Sequence, residues 1–137
     1  MDKLRAVNGL FLKLQLVNTQ QVVQSENIYW LPDSTGNYSG LQKMKQANVV
    51  VTAHRASRNT IEVKIKNPMG NPMAFFNRIS LVNPETGKRI LPVFYDNNYV
   101  SVVAGAERTV TLSYDGDLKG KVTICGWNVN LQTIDIQ

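Results

Sequence analysis

Cysteine and histidine each occur once in this 137-residue chain, at Cys125 and His54. A zinc site normally needs three or four N, S or O ligands, and a disulfide needs two thiols, so neither is expected. A lone thiol also says nothing about the redox compartment. Helix signals are nearly missing as well. The single candidate, Ser39 to Gln46, is short and better read as an irregular loop. No run approaches the ~18 apolar residues of a membrane helix. No apolar run follows Met1-Asp2-Lys3, so no signal peptide is expected. Charged residues are only 18% of the chain, and the net charge is +5. The basic residues are spread singly (Lys13, Lys43, Lys64, Arg78, Arg108, Lys121), without a cluster of five and without an RNA- or DNA-binding motif. That reads as a solvated surface: neither nucleic acid nor membrane is an expected partner. No glycine-rich loop follows a strand and opens a helix, so no nucleotide cofactor is expected either.

What is present is alternation with a period of two. In Ile61-Glu62-Val63-Lys64-Ile65-Lys66 apolar and charged residues alternate without a fault, so one face turns inward and the other to water. Leu10, Leu12, Leu14 and Leu16 repeat the pattern, as do Val110, Leu112 and Tyr114. Val49-Val51-Ala53, Ile79-Leu81, Val100-Val102, Val122-Ile124 and Ile134-Ile136 complete the set. Turn chemistry separates these runs at Pro32–Asn37, Asn67–Pro72, Asn83–Gly87, Ala104-Gly105 and Asp115–Asp117. Strands therefore start at intervals of roughly 8–14 residues, the rhythm of a sandwich. The expectation is one all-β domain of about eight to ten strands in two antiparallel sheets.

The chemistry available to such a domain is thin. His54 beside Arg55 reads as a structural histidine near a strand end, and Cys125 as a buried, inert thiol within a strand. Glycosidase chemistry requires two facing carboxylates ~5–9.5 Å apart. The acids here (Glu62, Glu107, Asp115, Asp117) stand on outward or turn positions that nominate no such pair. Asp115 and Asp117 could offer two oxygens to calcium, but a plain turn is the better account. No catalytic residue and no metal ligand is expected. Two aromatic segments remain: Asn27–Pro32 with Trp30, and Leu91–Tyr99 with Tyr95, Asp96, Asn97 and Tyr99. Aromatics among amides and carboxylates can stack on sugar rings. They can equally serve core or inter-domain packing, with Asp96 and Asn97 bonding the local backbone.

The same segments carry a resemblance. Asn27-Ile28-Tyr29-Trp30-Leu31, Ile65-Lys66-Asn67-Pro68, Ala74-Phe75-Phe76-Asn77-Arg78, Leu91-Pro92-Val93 through Asn98-Tyr99, Gly105-Ala106-Glu107-Arg108 and Gly126-Trp127-Asn128 follow in order. Together they resemble the C-terminal immunoglobulin-like domain of glycoside hydrolase family 2, in the branch of exo-β-glucosaminidases and β-mannosidases. Departures fall in the loops: Ala104 stands for a proline, Ala106 is inserted, and Asn98 interrupts the Asp-Asn-Tyr triplet. The resemblance implies an immunoglobulin-like β-sandwich over residues 10–137, preceded by a linker edge at 1–9. It implies an accessory domain, without cofactor, in a retaining glycosidase whose acid/base and nucleophile glutamates lie on a (β/α)₈ barrel. Such a barrel needs ~250 residues and is not in this sequence. The implied partners are the other domains of the parent glycosidase, and by analogy with such enzymes a periplasmic or secreted location. The alternative is an independent carbohydrate-binding module using Trp30, Tyr95, Tyr99 or Trp127 as a stacking platform. Trp30, Tyr95, Asp96, Asn97 and Tyr99 are the candidate inter-domain or sugar contacts.

Overall fold

Alternation of apolar and polar residues decides which segments become strands. The computed structural model describes residues 9–116 and 119–137, and these fall into two compact units, one ending at Met44 and one running from Lys45 to Gln137. The first unit holds β1 (Leu10–Val17), β2 (Val23–Leu31) and one helical turn, α1 (Ser39–Gln42). The second holds β3 (Val50–Ser57), β4 (Thr60–Lys66), β5 (Ala74–Val82), β6 (Val93–Tyr95), β7 (Val100–Val102), β8 (Glu107–Tyr114), β9 (Lys121–Cys125) and β10 (Gln132–Asp135).

Two four-stranded antiparallel sheets, ordered β3-β4-β8-β6 and β10-β9-β5-β7, form the immunoglobulin-like sandwich expected from the sequence. Their inner faces meet in one core. Ile61, Val63 and Ile65 of β4 and Val110 and Leu112 of β8 are wholly buried against Ile79, Leu81, Val122 and Ile124 of the other sheet. Each such side chain contributes about 1.5–3 kcal/mol relative to exposure, and that term holds the sheets together. The outer face of β4 is ionic: Glu62 lies opposite His54, and Lys64 reaches Glu107 of β8. His54 is thus a mid-strand surface residue, not one at a strand end. The chain finishes by crossing sheets: Ile136 bridges Ala53 in parallel, and Gln137 exchanges two backbone bonds with Ala53 and Arg55.

The first unit departs from the sequence expectation in two ways. The segment 39–46 begins with a four-residue helical turn, too short to leave a periodic signal. More consequential is the leucine row of β1. It alternates as well as β4 does, yet β1 pairs only with β2 in a two-stranded sheet, and Leu14 and Leu16 are 51% and 66% exposed. Alternation reports that a strand has two unlike faces. It does not report that the chain supplies a cover for the apolar one.

Candidate functional site

Four asparagines explain most of the sequence signatures. Asn67, fully buried, donates its Nδ2 to the carbonyls of Pro72 and Val102, both at 2.9 Å, and its Oδ1 accepts from Asn71. Asn77, also fully buried, donates to the carbonyls of Ala74 and Val100. Asn128 accepts the Phe75 N–H on Oδ1 and donates to the carbonyls of Lys45 and Met73. Asn98 pairs with both backbone groups of Ile79, accepting at 2.8 Å and donating at 3.0 Å. In each case a short amide side chain stands in for a backbone partner and satisfies carbonyl or N–H groups of the neighbouring chain.

The breaks arise at one place. The register of β5 against β7 slips between Ala74 and Asn77, and this bulge throws Phe76 outward. Phe76 adopts φ 56°, and Tyr99, which follows the Asn98 clip, adopts φ 54°. Left-handed backbone costs a non-glycine residue roughly 1–2 kcal/mol. The two rings lie 5.0 Å apart, tilted by 41°, and both are exposed. Trp127, also exposed, is held nearby, its backbone N–H donating to the Phe75 carbonyl. Behind it Gly126 is obligatory: a Cβ there would stand 2.5 Å from Asn77 Oδ1 and 2.8 Å from the Phe75 carbonyl oxygen.

The residues nominated from sequence therefore divide. Asp96 exchanges two bonds with Thr111, accepting on Oδ1 and donating its own N–H to the Thr111 carbonyl. Asn97 accepts the N–H of Asn98 within the same turn. Tyr95 is half-buried and its hydroxyl accepts the Leu81 N–H at 3.4 Å; burial pushes that phenol above its ordinary value. Tyr99 is exposed and meets Phe76, a residue the sequence reading passed over. The adjacent Phe75-Phe76 pair was the available signal, since two neighbouring strand residues cannot both face one core unless the strand bulges. Trp30 lies in the first unit, opposite Phe11, on the wall of a cavity of about 180 Å³ shared with Tyr38, Leu41 and Met44.

Four of the described acids are held in ion pairs. Glu26 is paired with Lys13 at 2.8 Å, Glu62 with His54 at 3.2 Å, Glu107 with Lys64 at 3.6 Å, and Asp135 with Lys121 at 2.9 Å. Asp33 closes its own turn, and the N–H of Asn37 followed by the Thr35 hydroxyl holds its carboxyl below the usual value. No group of three or more His, Cys, Asp or Glu that could hold a metal occurs among the described residues. Asp117, one half of the weak calcium candidate, lies outside them. Cys125 closes β9 half-buried rather than fully buried, in the sheet that does not contain His54. No described helix is long and apolar enough to cross a membrane.

Fold and surface thus define a class: an immunoglobulin-type sandwich whose motif residues are structural clips and whose exposed aromatics crown one bulge. Comparison with known proteins specifies it further. Residues 27–129 match the family described as the exo-β-D-glucosaminidase Ig-fold domain, and the chain belongs to that family. It is 28% identical to an exo-β-D-glucosaminidase of Arthroderma benhamiae, over 98% of this chain and 17% of the relative. It is 32% identical to that of Amycolatopsis orientalis, over 94% of this chain and 15% of the relative. The crystal structure of the Amycolatopsis orientalis exo-chitosanase CsxA superposes with a TM-score of 0.80 at 29% identity, covering 93% of this chain and 18% of that one. The chain therefore spans less than a fifth of the length of these relatives, and the part it matches is an Ig-fold domain of a glycoside hydrolase.

Proposed function

We propose that this domain is a non-catalytic packing module of a retaining β-glycosidase of glycoside hydrolase family 2 that acts on β-D-glucosaminides. The observation that carries the reading is the Phe76–Tyr99 pair. Two exposed aromatic side chains sit on strained backbone, held by the buried Asn77 and Asn128 and the half-buried Asn98. Strain of this kind persists only where surrounding structure over-determines it, and an exposed ring does nothing for the domain's own core. The rings are tilted by 41° and form a wedge, whereas a sugar stacks best on a flat platform. A wedge suits insertion between side chains of a neighbouring domain. The relatives' names supply the sugar class, and the resemblance supplies the retaining chemistry, whose two glutamates would stand elsewhere in the parent.

A second reading, an independent carbohydrate-binding module, is favoured by the exposure of Tyr99 and Trp127, at 49% and 56%. Phe76→Ser with Tyr99→Ser in the complete parent enzyme separates the two. Under the packing reading the temperature of half-inactivation falls by several degrees, while kcat/KM on p-nitrophenyl β-D-glucosaminide stays within about twofold. A tenfold loss of kcat/KM at unchanged thermal stability would instead make the rings a substrate contact.

A further inference from the structure

The two outer faces of the sandwich differ in how they treat charge. On the β3-β4-β8-β6 sheet, Glu62 and Glu107 are met by His54 and Lys64. The outer face of the β10-β9-β5-β7 sheet is nearly bare. Cross-strand register sets Arg78 opposite Cys125, Ser80 opposite Thr123, and Thr123 opposite Thr133. These residues alternate with the buried Ile79, Leu81, Val122 and Ile124, so their side chains point away from the core. Arg78 apart, they are short, and the Thr123 hydroxyl turns back to the Ser80 carbonyl at 3.5 Å. Lys121 and Asp135 of the same face bond each other at 2.9 Å. Arg78 is therefore the one charge of this face without an opposite charge among the described residues. It is exposed and stands in the middle of β5, where the strand fixes its direction.

Arg78 follows Phe76 by two residues, about 7 Å along a strand. A partner that takes the Phe76–Tyr99 wedge therefore reaches Arg78 as well. A guanidinium stays charged at every physiological pH, and covering it without a counter-charge opposes docking. Its planar fork matches a carboxylate two bonds at a time. Arginine, tyrosine and tryptophan are also the residues that dominate binding energy at protein interfaces. Here Arg78, Tyr99 and Trp127 gather about the first half of β5, Tyr99 through its ring contact with Phe76 and Trp127 through its bond to the Phe75 carbonyl. The domain's own acids are engaged elsewhere: Asp96 accepts from Thr111, and Glu85 lies in the turn beyond the far end of β5. We infer that this face docks on an apolar socket in another domain of the parent polypeptide, and that a carboxylate at the rim of that socket pairs with Arg78. Charge complementarity selects this partner, since a chain of net charge +5 whose neighbouring acids are taken must draw the carboxylate from outside. The inference deepens the packing reading and rests on it.

Two measurements on the complete parent enzyme test it. In the first, Arg78→Lys is treated with a water-soluble carbodiimide, which condenses an amine with a carboxylate only where the two already touch. Peptide mass spectrometry then locates the amide bonds made by position 78. The expected bond joins it to an Asp or Glu outside residues 1–137 of the same molecule, and it is missing when the enzyme is unfolded in urea before treatment. In the second, Arg78→Glu shortens the half-life of thermal inactivation about tenfold or more, and Arg78→Gln shortens it less. The urea midpoint of the 137-residue chain stays unchanged in both variants, because Arg78 makes no ion pair within it. No bond from position 78, or a bond only to an acid of this domain, overturns the inference. A bond only between two enzyme molecules overturns it in favour of a second copy as the partner. An equal loss of stability in the short chain overturns it as well, by making Arg78 a structural residue of the sandwich. Arg78→Glu without effect, in a parent that Phe76→Ser with Tyr99→Ser destabilises, refutes the carboxylate and leaves the packing reading standing. No effect from either set of substitutions refutes both.

Discussion

Replacing Asn128 by alanine removes three hydrogen bonds without touching the apolar core. Its Oδ1 accepts the Phe75 N–H at 2.9 Å in a buried setting, and its Nδ2 donates to the carbonyls of Lys45 at 2.9 Å and Met73 at 2.8 Å in partly buried ones. An orphaned buried N–H costs about 1–3 kcal/mol. The two carbonyls are partly within reach of water, so each is set at about 0.5–1 kcal/mol. The sum is about 2–5 kcal/mol, a large part of the 5–15 kcal/mol typical of a domain. Asn97→Ala is the matched control, since that side chain makes a single local bond to Asn98 in an exposed turn, worth ~0.5 kcal/mol. Urea unfolding of both variants, followed by tryptophan fluorescence at constant m-value, reads the difference directly. The expected loss is about 2–5 kcal/mol for Asn128→Ala and ~0.5 kcal/mol for Asn97→Ala. A loss below about 1 kcal/mol for Asn128→Ala, or equal losses for both, would refute the assignment of the motif asparagines as clips.

Two further outcomes follow from the same structure. Gly126→Ala sets a Cβ 2.5 Å from Asn77 Oδ1 and 2.8 Å from the Phe75 carbonyl, neither of which can swing away, so it destabilises by about 1–3 kcal/mol in the same urea assay. The Tyr95 phenol is held above its ordinary value chiefly by burial, so the folded state binds its proton more tightly than the unfolded state does. Its stabilising contribution is therefore intact below about pH 10 and declines as pH rises through the higher folded value. Ultraviolet titration should show a late-ionising phenol that Tyr95→Phe removes, with unfolding setting in as it ionises.

Much of the sandwich was legible because the strands carry their own instructions. In β4 the charges at Glu62 and Lys64 fix which face meets water, and the structure buries Ile61, Val63 and Ile65 completely. The same reasoning overreached at β1, where alternation was equally regular but Leu14 and Leu16 remain exposed. Burial belongs to a pair of surfaces, and alternation within one strand describes only one of them. The asparagine clips were visible only as a motif. Asn128 reaches the carbonyl of Lys45, 83 positions away, and no local rule foresees a bond set by long-range register. Asp96 and Asn97 stand out as polar groups beside aromatics, and each bonds backbone, at Thr111 and Asn98 respectively. Phe76 escaped notice because a bulge, not the period of two, points it outward.

In the proposed function this domain serves its parent by packing and not by holding sugar. Titration of the 137-residue chain with glucosamine oligomers, followed by NMR shifts of the Tyr99 and Trp127 amides, tests it most directly. A packing domain gives shifts that grow linearly and slightly with ligand up to several millimolar. Saturable shifts at those two residues, abolished by Tyr99→Ala, would contradict it and make the aromatic bulge a carbohydrate site.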